Sequence, residues 1–210
     1  RLSSANSINW GRLVPQIVYY FYAYFRLVEQ GGVQWGDTVD FCVPTGNFGD
    51  ILAGYYAKRM GLPVGKLICA SNKNNVLTDF IRTGTYDARR TFYKTTSPSM
   101  DILISSNLER LLYHLSGSAE KVRGWMQNLA KNGVYTVDAQ TLAAVQENFA
   151  CACADDAQGA AQIHERFAQD GYLCDTHTAI AFCAADSCRD GAPVVVLSTA
   201  SPFKFPRDVL

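Results

Sequence analysis

The stretch that most constrains this chain is Val39-Asp40-Phe41-Cys42-Val43-Pro44-Thr45-Gly46-Asn47-Phe48-Gly49-Asp50-Ile51-Leu52-Ala53-Gly54-Tyr55-Tyr56. A short apolar run reads as a buried strand, a turn with two glycines follows, and the remainder reads as a helix. Gly46 and Gly49 permit backbone geometry that a Cβ would hinder. The turn feeds straight into a helix start, where unpaired N–H groups and the helix dipole favour an anion. Two readings fit: an ordinary strand–turn–helix junction, or an anion cradle. The run lacks the Lys-Ser/Thr ending of a nucleotide P-loop and the three glycines of a dinucleotide fingerprint.

The rest of the chain extends this unit. Asp37 to Val43 is the first expected strand, and the helix after it runs to Met60, before Gly61-Leu62-Pro63. Lys66 to Ala70 is the next strand, then the polar loop Ser71–Asn75 and a helix from Val76 to Arg82. Pro193 to Ser198 is the clearest buried strand. Strands alternating with helices across short connections define an α/β chain with an open parallel-sheet core and helices on both faces. The segment at about 102–170 reads as a helical insertion, with helices near 108–115, 119–131, 139–149 and 158–168. Within it, Val134 to Val137 is a short strand, Ser105-Ser106-Asn107 is either helical or a break, and Ala150 to Ala157 reads as an exposed linker. Gly171 to Cys174 reads as a return to the sheet. An aromatic helix from about Leu13, carrying Tyr19 to Phe25, is expected to be buried on several sides or to meet another subunit.

Composition narrows the function classes. Lys+Arg and Asp+Glu both number 19, so the formal net charge is zero. Nothing points to nucleic acid or an anionic membrane. No run of about 20 apolar residues is present, and Arg26 interrupts the apolar stretch Ile17 to Leu27. The seven cysteines include no CxxC pair, and reduced thiols in a cytoplasmic protein are the expectation. The chain starts at Arg1 without a methionine, which reads as a fragment or a processed chain.

In open parallel sheets, functional loops belong at the carboxyl ends of the strands. The loops 45–50, 175–179 and 199–204 are therefore expected to converge at one rim. Of the histidines, His114 and His164 sit on predicted helices and read as structural. His177 lies among polar residues after an expected strand and reads either as a site residue or as a structural hydrogen-bonding group.

Five segments resemble threonine synthases, pyridoxal-phosphate enzymes of fold type II, in the family's own order. They are Ser4 to Arg12, Val43 to Asp50, Pro98-Ser99-Met100-Asp101-Ile102 with Ser105 to Arg110, Asp175-Thr176-His177-Thr178-Ala179, and Thr199 to Phe205. The resemblance implies a lyase that converts O-phospho-L-homoserine and water to L-threonine and phosphate. It places Gly46, Asn47, Phe48 and Gly49 around the phosphate of pyridoxal 5′-phosphate, mostly through backbone N–H groups, and Thr199 at the pyridine nitrogen. Ser7, Asn9, Asp175, His177 and Lys204 are implied on the substrate side or in support.

The sequence departs from the family pattern at Thr176, where the family has proline, at Ser201, where it has histidine, and at Phe203, where it has alanine. Ser71–Asn75 lacks the acidic residues of many relatives. These departures admit an altered-specificity phospholyase or a non-catalytic metabolite-binding module as the alternative. The family's cofactor lysine lies upstream of the Ser/Asn-rich segment, and no lysine precedes Lys58 here. The chain is therefore expected to be most of the large domain, residues 1–210, without the lysine-bearing N-terminal portion. It is expected to be inactive alone and prone to self-association through surfaces the missing portion would cover.

Overall fold

The computed structural model describes residues 6–209. Ser4 and Ala5 of the Ser/Asn-rich segment lie outside the described residues. The core is a four-stranded, all-parallel sheet in the order β5-β2-β1-β6. β1 (Val39–Pro44) is central, between β2 (Val64–Ser71) and β6 (Val194–Val196), and β5 (Phe149–Cys153) lies outside β2.

The pleat of β1 sorts its side chains between two layers. Val39, Phe41 and Val43 face the main core, and Cys42 faces the other side. The main core also takes α2 (Ile17–Glu29), α3 (Gly49–Arg59) and α4 (Val76–Thr83). The opposite layer is built by α9 (Thr176–Ser187), whose Ile180, Ala181, Ala184 and Ala185 pack on Cys42, Ile68, Ala70 and Ala152. Small residues on both surfaces let this helix lie close to the sheet. α8 (Asp156–Asp170) packs against α9.

The remaining elements form a lobe on the main-core side. α5 (Leu108–Ser116), α6 (Ala119–Asn132) and α7 (Ala139–Asn148) surround a small antiparallel pair, β3 (Thr85–Asp87) with β4 (Val134–Thr136). The stacked rings of Tyr86 and Tyr135, 5.3 Å apart, tie that pair together. Among the described residues, no helix is long and apolar enough to cross a membrane.

Several sequence expectations are corrected. The supposed linker at Ala150 holds β5, paired in register Cys69 to Cys151 on the main sheet. The insertion is thus not wholly helical, because its chain returns to the sheet edge between α7 and α8. Gly171 to Cys174 forms no strand. Of the two readings of Ser105-Ser106-Asn107, the break holds: α5 begins at Leu108, after Asn107 takes a left-handed φ of 73°. The aromatic helix is broken near Pro15 into α1 (Trp10–Leu13), a 3-10 turn and α2. It is buried along one stripe only. Tyr20 and Tyr24 are inside, whereas Val18, Tyr19, Tyr22 and Phe25 are exposed.

Candidate functional site

The loops at 45–50, 175–179 and 199–204 do converge. They line one cleft of about 1030 Å3 at the carboxyl ends of β1 and β6. Gly46, Asn47 and Gly49 supply its floor, His177 one wall, and Thr199 and Lys204 its rim.

The floor is held by a segment 59 residues further along the chain. Ser105 Oγ donates to the Gly46 carbonyl at 2.6 Å. Asn47 Oδ1 accepts from the Ser106 N–H at 3.1 Å and from Ser106 Oγ at 3.0 Å. The Phe48 N–H donates to the Ser106 carbonyl at 2.8 Å. The N–H groups of Gly46, Asn47 and Gly49 meet no acceptor among the described residues, and α3 carries no side-chain N-cap. Buried N–H groups without partners are rare in folded proteins. Here they stand at the positive end of an eleven-residue helix, open to the cleft.

The two glycines have different reasons. A Cβ on Gly46 would stand 2.8 Å from the Ser99 carbonyl, so this glycine lets the 98–102 strap cross the turn. A Cβ on Gly49 would meet Asn107 Nδ2 at 3.3 Å. Phe48 differs from its expected place. Its N–H is spent on Ser106, its side chain is buried, and its ring packs 5.5 Å from that of Phe149. It anchors the turn from below and donates nothing to the cleft.

Asp175 caps α9, accepting the His177 N–H at 2.9 Å. Its carboxylate also meets His177 Nδ1 at 2.9 Å and takes a short hydrogen bond from Thr178 Oγ1. The Ser99 N–H donates to His177 Nε2 at 3.1 Å. That bond fixes the tautomer, because Nε2 must accept and Nδ1 therefore carries the proton toward Asp175. Burial alone pushes the Asp175 carboxyl up, and the hydrogen bonds from His177 and Thr178 more than reverse this, leaving it below the usual carboxylate range.

The other expected site residues separate. Ser7 lines the cleft and pairs with Ser106 through their hydroxyls at 3.2 Å. Asn9 does not reach the cleft; its side chain caps α1 by accepting the Gly11 N–H. Thr199 and Lys204 are exposed on the rim. Of the departures, Thr176 is buried and donates to the Thr96 carbonyl at 2.7 Å, whereas Phe203 points to solvent at 84% exposure. Asn72, fully buried, donates to Thr95, Ser97 and Asp101, so the Ser71–Asn75 loop supports the strap rather than lining the cleft.

Sequence reasoning missed Arg12, Gln16 and Asp50, all of which line the cleft. Gln16 Oε1 is buried there without a hydrogen-bond partner. Asp50 sits in the first turn of α3. Burial raises its carboxyl to about 6 against the opposing effect of the Tyr20 hydroxyl. The signal available for Asp50 was its place directly after the glycine turn. Arg12 and Gln16 come from the helix break whose signal in the sequence was Pro15.

The sheet, its strand-end cleft and the glycine turn at a helix start define the fold found in fold type II pyridoxal-phosphate enzymes. A family profile described as "Threonine synthase, C-terminal" matches residues 178–210. The chain is 47% identical over 207 residues to human threonine synthase-like 1, covering 97% of this chain and 28% of that protein. It is 43% identical over 212 residues to threonine synthase of Pseudomonas aeruginosa, covering 100% of this chain and 44% of that one. A solved structure of threonine synthase from Brucella melitensis, described as bound to PLP, superposes with a TM-score of 0.92 at 47% identity. That match covers 99% of this chain and 44% of the other. The chain thus corresponds to the C-terminal portion of the threonine synthase family, and it spans less than half the length of these relatives.

Proposed function

We propose that this chain is most of the large domain of a threonine-synthase-type lyase, which converts O-phospho-L-homoserine and water to L-threonine and phosphate with pyridoxal 5′-phosphate. The observation that carries this reading is the set of unpartnered N–H groups at Gly46, Asn47 and Gly49, facing a cleft at the strand ends. They suit a phosphate ester, which needs several donors. The cofactor, when bound, supplies an electron sink for charge that develops on the amino-acid carbons.

The chain's own residues then bind and orient. Gly46, Asn47 and Gly49 hold the cofactor's phosphate through their N–H groups. The Thr199 hydroxyl, on the rim beyond β6, would serve the cofactor's pyridine nitrogen as a neutral partner that does not force it to stay protonated, as a carboxylate would. Arg12 and Lys204 line the same cleft and supply positive charge for the substrate's own phosphate. His177 and Asp175 fix the strap that roofs the turn. The lysine that bonds the cofactor belongs to sequence outside these 210 residues.

The 47% identity to a threonine synthase-like protein favours a second reading, a phospholyase of altered specificity. The test is to join the chain to the lysine-bearing portion of its own coding sequence and supply cofactor and O-phospho-L-homoserine. Phosphate released one-to-one with L-threonine is expected. Phosphate released without L-threonine supports the second reading. No phosphate release from a protein that binds the cofactor overturns both as enzymes.

A further inference from the structure

Among the described residues that line the cleft, Asp50 is the only acid. It follows Gly49 directly and stands in the first turn of α3, next to the turn that carries the unpartnered N–H groups. Tyr20, from α2, donates its hydroxyl to the Asp50 carbonyl at 2.7 Å and stands 3.2 Å from Oδ1. The carboxyl is thus pinned at the place where the turn offers itself to an anion. Two negative groups in one partly desolvated site repel strongly, and the carboxyl can remove its charge by binding a proton whereas a sulfate-like anion cannot.

We propose that Asp50 takes up a proton when an anion of the phosphate class enters the cradle, so that anion and proton bind together. This assignment rests on the cradle reading above. Burial, which already raises the Asp50 carboxyl to about 6, brings the event within reach of neutral pH. The other groups facing the cleft do not offer the same response. Tyr20 is held protonated, because burial and the neighbouring Asp50 push its phenol well above its ordinary value. His177, from α9, has Nε2 occupied by the Ser99 N–H and Nδ1 by Asp175. Arg12 of α1 and Lys204 beyond β6 are the basic residues that line the same cleft. On α5, which packs against α3, His114 lies outside the cleft and is engaged by Tyr56 at 2.9 Å.

The experiment is titration calorimetry of the full 210-residue chain with sulfate, which does not itself titrate near neutrality, in buffers of different ionisation enthalpy at about pH 6.5. The expected result is an observed heat that varies with the buffer in the sense of net proton uptake. Affinity should tighten as pH falls from about 8 to about 6, by at most about tenfold per unit. Asp50→Asn should abolish both the buffer dependence and the pH dependence while still binding sulfate. Tyr20→Phe removes a hydrogen bond that favours the carboxylate, and should move the midpoint to higher pH. Sulfate binding with no buffer dependence, or proton uptake that survives in Asp50→Asn, overturns the assignment and leaves the cradle standing. Absence of sulfate binding at every pH overturns the cradle itself.

Discussion

Ser99 and His177, 78 residues apart, are joined by a hydrogen bond from the Ser99 N–H to His177 Nε2 at 3.1 Å. The bond attaches the strap over the glycine turn to the capping residues of α9, and Asp175 completes it from beneath. The roof and the wall of the cleft are therefore one unit. His177→Ala would leave the Ser99 N–H without its acceptor and take the imidazole partner from the buried Asp175 carboxylate, and should destabilise the chain by about 2–4 kcal/mol. Urea unfolding checks the magnitude. The loss should be largest near neutral pH, because Asp175 is held below the usual carboxylate range and its contribution disappears as pH falls below about 4.

The carboxyl of Asp50 has the opposite sign. Its folded value is raised to about 6, so its contribution to stability is complete below the unfolded value of about 4 and is lost as pH rises through about 6. Asp50→Asn should therefore stabilise the chain at pH 8 by about 2 kcal/mol, with the gain vanishing toward pH 4. Thermal melts of both proteins across that range measure it. A gain that grows toward acid pH would contradict the burial of the charged form.

The two glycines of the turn should respond unequally. Gly46→Ala drives a Cβ to 2.8 Å from the Ser99 carbonyl and 2.9 Å from Met100 Cα, both backbone atoms. A cost of about 2–3 kcal/mol is expected, because the strap must move. Gly49→Ala meets Asn107 Nδ2 at 3.3 Å, a side-chain atom that can shift, and should cost about 1 kcal/mol or less. Comparing the denaturation midpoints of the two variants tests the order.

Pyridoxal 5′-phosphate followed by borohydride should label no single lysine of the 210-residue chain. Lys204 lines the cleft, but it lies on the exposed rim beyond β6 rather than on the floor where the phosphate end is proposed to sit. Peptide mass mapping provides the readout. Stoichiometric labelling of one unique lysine would place the cofactor-bearing group within this chain, against the reading given above.

Much of the fold is legible in residue order. The apolar run before Gly46, the Gly61-Leu62-Pro63 stop and the cap at Asp138 are local signals, and β1, α3 and α7 form where those signals place them. β5 is not legible. Phe149-Ala150-Cys151-Ala152-Cys153 has no β-branched residue, and it is a strand because the free edge of β2 offers parallel pairing and its small side chains fit beneath α9 and α4. The start of α5 is hidden for a similar reason. Ser105, Ser106 and Asn107 are drawn out of helical geometry by their bonds to Gly46, Asn47 and Ser7.

Residue order is enough to show that a glycine turn joins a buried strand to a helix, and that polar loops follow the strands on the same side. Those facts rest on periodicity and backbone sterics, which act between near neighbours. Which N–H groups of that turn remain open is set by long-range contacts. Phe48 loses its N–H to Ser106, and Asp50 and Arg12 enter the cleft. Hydrogen-bond occupancy is settled by residues far away along the chain that folding brings within 3 Å, and no local pattern encodes that meeting.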